Sequence, residues 1–188
     1  MEQTHVNKTR NITLCALFVA LIAIGAFLRI PTPLVPITLQ VFFTTMAGLL
    51  LGGRLGATAV TCYIVLGLLG LPIFTQGGGF SYIFQTSFGY IIGFAAGAWL
   101  TGTIAHAVPA PSFKRLLIAS LLGLAVVQIF GTAYFYVIAN FYLGTPMALW
   151  PILVHGLFMT LPGDVVLFIL AAIIAKRLIP ILKRNGWC

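Results

Sequence analysis

One carboxylate stands alone in the apolar body of this chain. Asp164 is the only acidic side chain within a hydrophobic segment, and the only other acid is Glu2. It lies twelve residues before Lys176, a helical rise of about 18 Å. On a membrane-spanning helix that position is near the midplane, where a charge costs several kcal/mol and must face a polar interior. Pro162, two residues earlier, has no N–H, so the Phe158 carbonyl loses its helical donor. Leu161-Pro162-Gly163-Asp164 therefore reads as a kink whose freed polar groups line a cavity. The plainer alternative is a carboxylate that only caps a broken helix.

Other polar residues recur at spacings that would bring them to the same place. Gln128, Thr132, Tyr136 and Asn140 follow each other at intervals of four, which on a helix is one face drifting by about 40° per step. A polar stripe in an apolar helix turns inward, either to bond neighbouring helices at about 1 kcal/mol or less per contact or to meet a ligand. The outer half, Tyr136 and Asn140, has the better claim to a ligand. Tyr82, Gln85, Ser87 and Tyr90 fall in the outer part of another apolar segment, and Gln40 and Arg29 complete the outer polar set. Arg29 has a bland alternative, snorkelling to lipid headgroups.

Catalysis is not expected. Hydrolysis in a membrane needs paired carboxylates, a Ser/His pair or an HExxH metal motif, and His5, His106 and His155 are scattered. Cys15, Cys62 and Cys188 show neither metal spacing nor a disulfide framework. Gly77-Gly78-Gly79 suits a mobile or sharply bent loop. It is no phosphate cradle, because the sequence has no GxxxxGK[ST] pattern. Neither a cofactor nor an energy source of its own is expected for the chain.

The elements that position these residues follow from composition. The 188 residues are 61% hydrophobic and 6% charged, against roughly 25% charged in soluble domains, so most of the surface must face lipid. Six apolar segments stand out, at about 12–29, 36–53, 55–72, 83–107, 116–140 and 150–175. The second and third are short, and their separation rests on a tight turn at Gly52-Gly53-Arg54. With the N-terminus inside, nine of the ten cations fall on the cytoplasmic side and only Arg29 falls outside, as the positive-inside rule demands. The net charge of +8 is thus read as a topology signal. A nucleic-acid surface would need a solvated basic face, so no such partner is expected.

The first segment is too long for a signal-peptide core and is read as a retained helix. Between it and the second, the stretch Arg29-Ile30-Pro31-Thr32-Pro33-Leu34-Val35-Pro36 is stiff and extended. Gly89, Gly93 and Gly97 allow close helix packing, and Ala16 and Ala20 place an A-x-x-x-A face on the first helix. That alanine face has packing inside the bundle as its plain reading. The expected architecture is one all-α transmembrane domain over 1–188, six spans, both termini cytoplasmic.

With these motifs in view, the chain resembles the biotin-specific S component of energy-coupling factor (ECF) transporters, the BioY family. The resemblance covers about residues 14–177. Its carriers are Val35-Pro36-Ile37-Thr38-Leu39-Gln40, then Gly48, Gly52 and Gly56, then Tyr63 and Gly67. Gly70-Leu71-Pro72-Ile73-Phe74, the triple glycine, Gly89-Tyr90, Gly93-Phe94 and Leu161-Pro162-Gly163-Asp164 complete them. Two positions depart from the family pattern. Ser87-Phe88-Gly89-Tyr90 stands where Thr-Gly-Gly-Tyr is frequent, and Leu167 where a lysine is common.

The resemblance implies a six-helix S-component bundle in a prokaryotic cell membrane, with a pocket on its outward side beneath the loop between helices 1 and 2. It also implies a partner module of one membrane coupling protein and two ATPases, with Ala16 and Ala20 on the coupling face. For biotin, Asp164 would accept the ureido N–H groups, and Tyr90, Gln85 and Asn140 would add polar contacts. Arg29 would meet the carboxylate, with Gln40, Tyr82 and Tyr136 in the outer polar set. The competing readings are an S component for another vitamin, a self-sufficient carrier relaying protons through Asp164, and a membrane scaffold without a ligand.

Overall fold

Gly and Pro punctuate the apolar runs, and several of the helix ends lie near them. In the computed structural model, which describes residues 2–30, 36–144 and 147–184, α1 spans Glu2–Phe27, α2 Gln40–Leu51, α3 Gly53–Leu68, α4 Phe88–His106 and α5 Phe113–Val137. α5 runs on through a π turn, Ile138–Tyr142. α6 (Leu149–Leu153) leads through a second π turn, Val154–Phe158, into α7 (Leu161–Arg184). Between α1 and α2, β1 (Arg29–Ile30) pairs antiparallel with β2 (Ile37–Thr38), Arg29 opposite Thr38. Part of the expected extended loop, residues 31–35, lies outside the described residues.

Among the described residues, four stretches are long and apolar enough to cross a membrane: Lys8–Phe27, Phe88–His106, Phe113–Tyr142 and Leu149–Arg184. α2 and α3 have 12 and 16 residues, about 18 and 24 Å of helix against a hydrocarbon core of roughly 30 Å. α2 is the central element. It touches α1, α3, α4, α5 and α7, and its residues are buried from Gln40 to Leu50 except Phe42 and Phe43. A helix apolar on all sides belongs inside, so protein rather than lipid covers most of α2. The expected turn between α2 and α3 is present, with Gly52 at φ 83°, a conformation glycine adopts without a Cβ clash.

The glycines of α4 do what their spacing predicts. A Cβ on Gly93 would lie 2.9 Å from Val127 Cα, and one on Gly97 would lie 2.9 Å from the Gly123 carbonyl oxygen. α4 and α5 therefore pack backbone to backbone, and this pair forms one wall of the bundle.

Two expected segments are corrected. The fourth, expected as a helix from residue 83, starts at Phe88. Ahead of it, Gly77 and Gly79 turn at φ 115° and 103°, a tight 3₁₀ turn covers Phe80–Phe84, and Gln85 is extended at ψ 138°. The last segment is longer than expected and is broken by the π turn, with α7 running past Pro180 to Arg184.

Three of the cations gather around the turn between α4 and α5. Arg115 Nε donates to the Ile104 carbonyl at 2.7 Å, and Lys176 Nζ donates to that of Pro111 at 2.9 Å. Lys183 reaches the Pro109 carbonyl in the same α4–α5 turn. Arg29 sits elsewhere, donating to the Thr75 carbonyl in the glycine-rich loop.

Candidate functional site

A polar cavity lies between α2, α4, α5 and α7, bounded on one side by Pro36, the β2 strand and Thr75 of the glycine-rich loop. Apolar walls come from Val41, Ile91, Phe94, Leu124 and Val127. Into this setting eight polar side chains project: Thr38, Gln40, Thr75, Ser87, Tyr90, Gln128, Thr160 and Asp164. An apolar cleft with convergent polar groups is the usual form of a small-molecule site. The cavity measures about 60 Å³, well below the roughly 300–1,000 Å³ of typical ligand pockets. A ligand larger than a few atoms therefore enters only as the walls part. Two larger grooves of about 470 and 640 Å³ open on the outside of the bundle, between α1 and α3 and between α5 and α6. Their linings are mostly apolar and suit lipid or a partner helix rather than a polar ligand.

Most of the polar wall is held in place by its own hydrogen bonds. Gln40 Nε2 donates to Tyr63 Oη at 2.7 Å, and Tyr63 Oη donates in turn to the Ile73 carbonyl at 2.8 Å. This chain ties the start of α2 to the glycine-rich loop through α3. Tyr82 Oη lies 2.9 Å from Thr75 Oγ1 and 3.4 Å from Ser87 Oγ, so it orders two cavity hydroxyls from behind. Tyr90 Oη donates to the Gly156 carbonyl at 3.4 Å, and Gln128 Nε2 donates to Thr160 Oγ1 at 3.2 Å.

Asp164 is 5% exposed and stands in the first turn of α7, where the helix dipole favours a negative charge. Its N–H donates to the Thr160 carbonyl at 3.0 Å, and the Thr160 hydroxyl is the neighbouring side-chain donor. A carboxylate can accept about four hydrogen bonds, so one hydroxyl leaves it short of donors. Both readings of the Leu-Pro-Gly-Asp motif meet here: the carboxylate sits at a helix start and faces the cavity. No group of three or more His, Cys, Asp or Glu suited to a metal occurs among the described residues.

Of the residues singled out in the sequence, Asp164, Tyr90 and Gln40 line the cavity together. Tyr82 is one bond behind its wall, and Arg29 is exposed at its rim, bonded to Thr75. Three others are placed elsewhere. Gln85 is exposed in the extended step before α4. Asn140 falls in the π turn, where its side chain bonds Met147 N–H at 3.0 Å and the Met147 carbonyl at 3.1 Å. Tyr136 is 40% exposed and borders the outer α5–α6 groove. Drift of the stripe accounts for this: two steps of four residues turn Tyr136 about 80° away from Gln128. Thr75 and Thr160 were not among the sequence candidates. Gln128, the inner member of the stripe, lines the cavity, whereas the outer members Tyr136 and Asn140 do not.

Ala16 and Ala20 are exposed on α1, and Ala16 borders the groove against α3. Their face points out of the bundle, so packing within it does not explain the spacing.

A family model described as the BioY family matches residues 1–184. The Probable biotin transporter BioY of Lysinibacillus sphaericus is 40% identical over 176 residues, 94% of this chain and 90% of that one. The Biotin transporter BioY of Rhodobacter capsulatus is 33% identical over 179 residues, 90% of this chain and 93% of that one. Among solved structures, the S-component for biotin from an ECF-type ABC transporter superposes with a TM-score of 0.78 at 31% identity, covering 91% of each chain.

Proposed function

The chain belongs to the BioY family, and from that premise we propose that it is the biotin-binding subunit of an uptake transporter in a prokaryotic cell membrane. The observation that carries this reading is Asp164, a buried carboxylate short of donors in a cavity with apolar walls. Biotin offers the complement: an apolar bicyclic body, a ureido group with two N–H donors, and a carboxylate tail. Asp164 accepts ureido hydrogens as charge-assisted bonds. Phe94, Ile91 and Val127 cover the rings, and Tyr90 and Gln40 border them. Arg29, the cation at the rim, meets the carboxylate.

Entry requires the narrow cavity to open. The wall at the mouth is β2, paired with β1 over two residue pairs, together with Thr75. The Arg29–Thr75 bond joins the two, so a ligand carboxylate that recruits Arg29 competes with that bond at the mouth.

A transporter family implies no reaction of its own. Energy comes from an ECF module, a membrane coupling protein with two ATPases, docked on the face of Ala16 and Ala20. Uptake of labelled biotin in cells separates this from a proton-coupled carrier using Asp164. Deleting the ATPases stops uptake while a protonophore, at constant ATP, leaves it intact. The opposite pattern contradicts the ECF assignment.

The chain crosses the membrane six times with both termini cytoplasmic. Support comes from the gathered cations Arg115, Lys176 and Lys183 beside the 107–112 turn. Reporter fusions after residue 188 and within that turn report cytoplasm. An external signal from either rejects the topology.

A further inference from the structure

We infer that Gln128 is a specificity-determining residue whose side-chain carbonyl oxygen receives one of the two ureido N–H groups, so that each ureido donor has its own acceptor. The inference rests on the biotin-binding reading and adds a contact that reading does not contain. Gln128 is 8% exposed and borders the cavity beside Thr160 and Asp164. Its Oε1 atom is buried from solvent and has no hydrogen-bond partner among the described residues. Buried polar atoms in native structures are nearly always paired, and an orphan calls for an explanation.

Which end of the amide is free follows from Thr160. A hydroxyl has one proton. That of Thr160 is directed at the backbone carbonyls of Gly156 at 3.3 Å and Leu157 at 3.2 Å. With its proton on one of these carbonyls, Thr160 Oγ1 can only accept from Gln128. The amide must present Nε2 there, at 3.2 Å, and Oε1 is left as an acceptor held at fixed orientation. Gln128 also borders the outer α5–α6 groove, but lipid tails there carry no donor that could satisfy an oxygen. A cavity ligand with a second N–H can. Asp164 and Gln128 are linked through Thr160, whose carbonyl accepts from the Asp164 N–H and whose hydroxyl oxygen accepts from Gln128, and all three line the cavity, which sets two acceptors opposite a cyclic urea.

The test is a cycle of two proteins and three ligands by titration calorimetry in detergent. Wild type and Gln128→Met, which is nearly isosteric and apolar, are each titrated with biotin and with the two isomers N-methylated at one ureido nitrogen. Gln128→Met weakens biotin by about tenfold, equivalent to about 1.4 kcal/mol. One methylated isomer, the one whose blocked nitrogen faces residue 128, binds both proteins equally. A purely structural role for Gln128 would weaken all three ligands alike, and that result overturns the inference, as does a variant that binds biotin at wild-type strength. Wild type alone gives a second reading that needs no variant to fold: each methylated isomer binds more weakly than biotin, and tolerance of methylation at both nitrogens overturns the inference. Wild type that binds no biotin at all is a different failure, because it rejects the biotin reading itself.

Discussion

Asp164→Leu is expected to weaken biotin binding at least about tenfold, and up to more than a hundredfold. The variant forfeits hydrogen bonds to a charged acceptor, worth about 1.5–3 kcal/mol, and each 1.4 kcal/mol is about a decade of affinity. Folding is expected to survive. The carboxylate is 5% exposed, and removing an expensive charge from membrane depth relieves a cost rather than adding one. Its loss leaves the Thr160 hydroxyl with the backbone carbonyls it already reaches. A ligand lacking ureido donors, by contrast, loses little affinity to the same substitution. Titration calorimetry measures both, with size-exclusion profiles to show that the variant is folded. A folded Asp164→Leu protein that binds biotin at wild-type strength removes Asp164 from the site.

The second large effect separates binding from transport. Ala16→Leu combined with Ala20→Leu is expected to abolish ATP-driven biotin uptake while leaving biotin binding by the isolated subunit unchanged. Both residues are exposed on α1 and neither borders the cavity, so the substitutions leave the binding walls alone. Small residues at four-residue spacing let a partner helix approach closely in lipid, and two leucines hold it off by several ångströms of side chain. Uptake assays in cells carrying the ECF module, beside calorimetry on the purified protein, give the two readouts. Uptake that survives, or binding that falls in parallel, shows that the partner docks elsewhere.

Much of this architecture was legible because membrane chemistry leaves a coarse imprint on sequence. A lone acid in an apolar run has few places to go, and Asp164 lines the cavity as its isolation suggested. Gly52 was legible as the α2–α3 turn because two glycines and an arginine interrupt an otherwise apolar stretch. Gly93 and Gly97 carried their packing in their spacing. Periodicity failed where the helix itself changes period. Asn140 continued the stripe on paper, but it lies in a π turn, where the intervals of an α-helix no longer fix direction. Gln85 was assigned to a helix that begins three residues later, at Phe88. Thr75 reaches the cavity through a loop bent at Gly77 and braced by Tyr63 and Tyr82, and no local pattern announces such a fold-back. Gln128 belongs to the same stripe and lines the cavity, because it lies in the regular part of α5 before the period changes.

The central claim is that this cavity selects biotin. A thermal-shift screen of the purified protein against a panel of vitamins tests it most directly. Biotin is expected to raise the melting temperature in a concentration-dependent way, because a ligand that binds only the folded state stabilises it by RT ln(1 + [L]/Kd). The other vitamins are expected to leave it unchanged. Stabilisation by a different vitamin with none from biotin, or no shift with any member of the panel, contradicts the account.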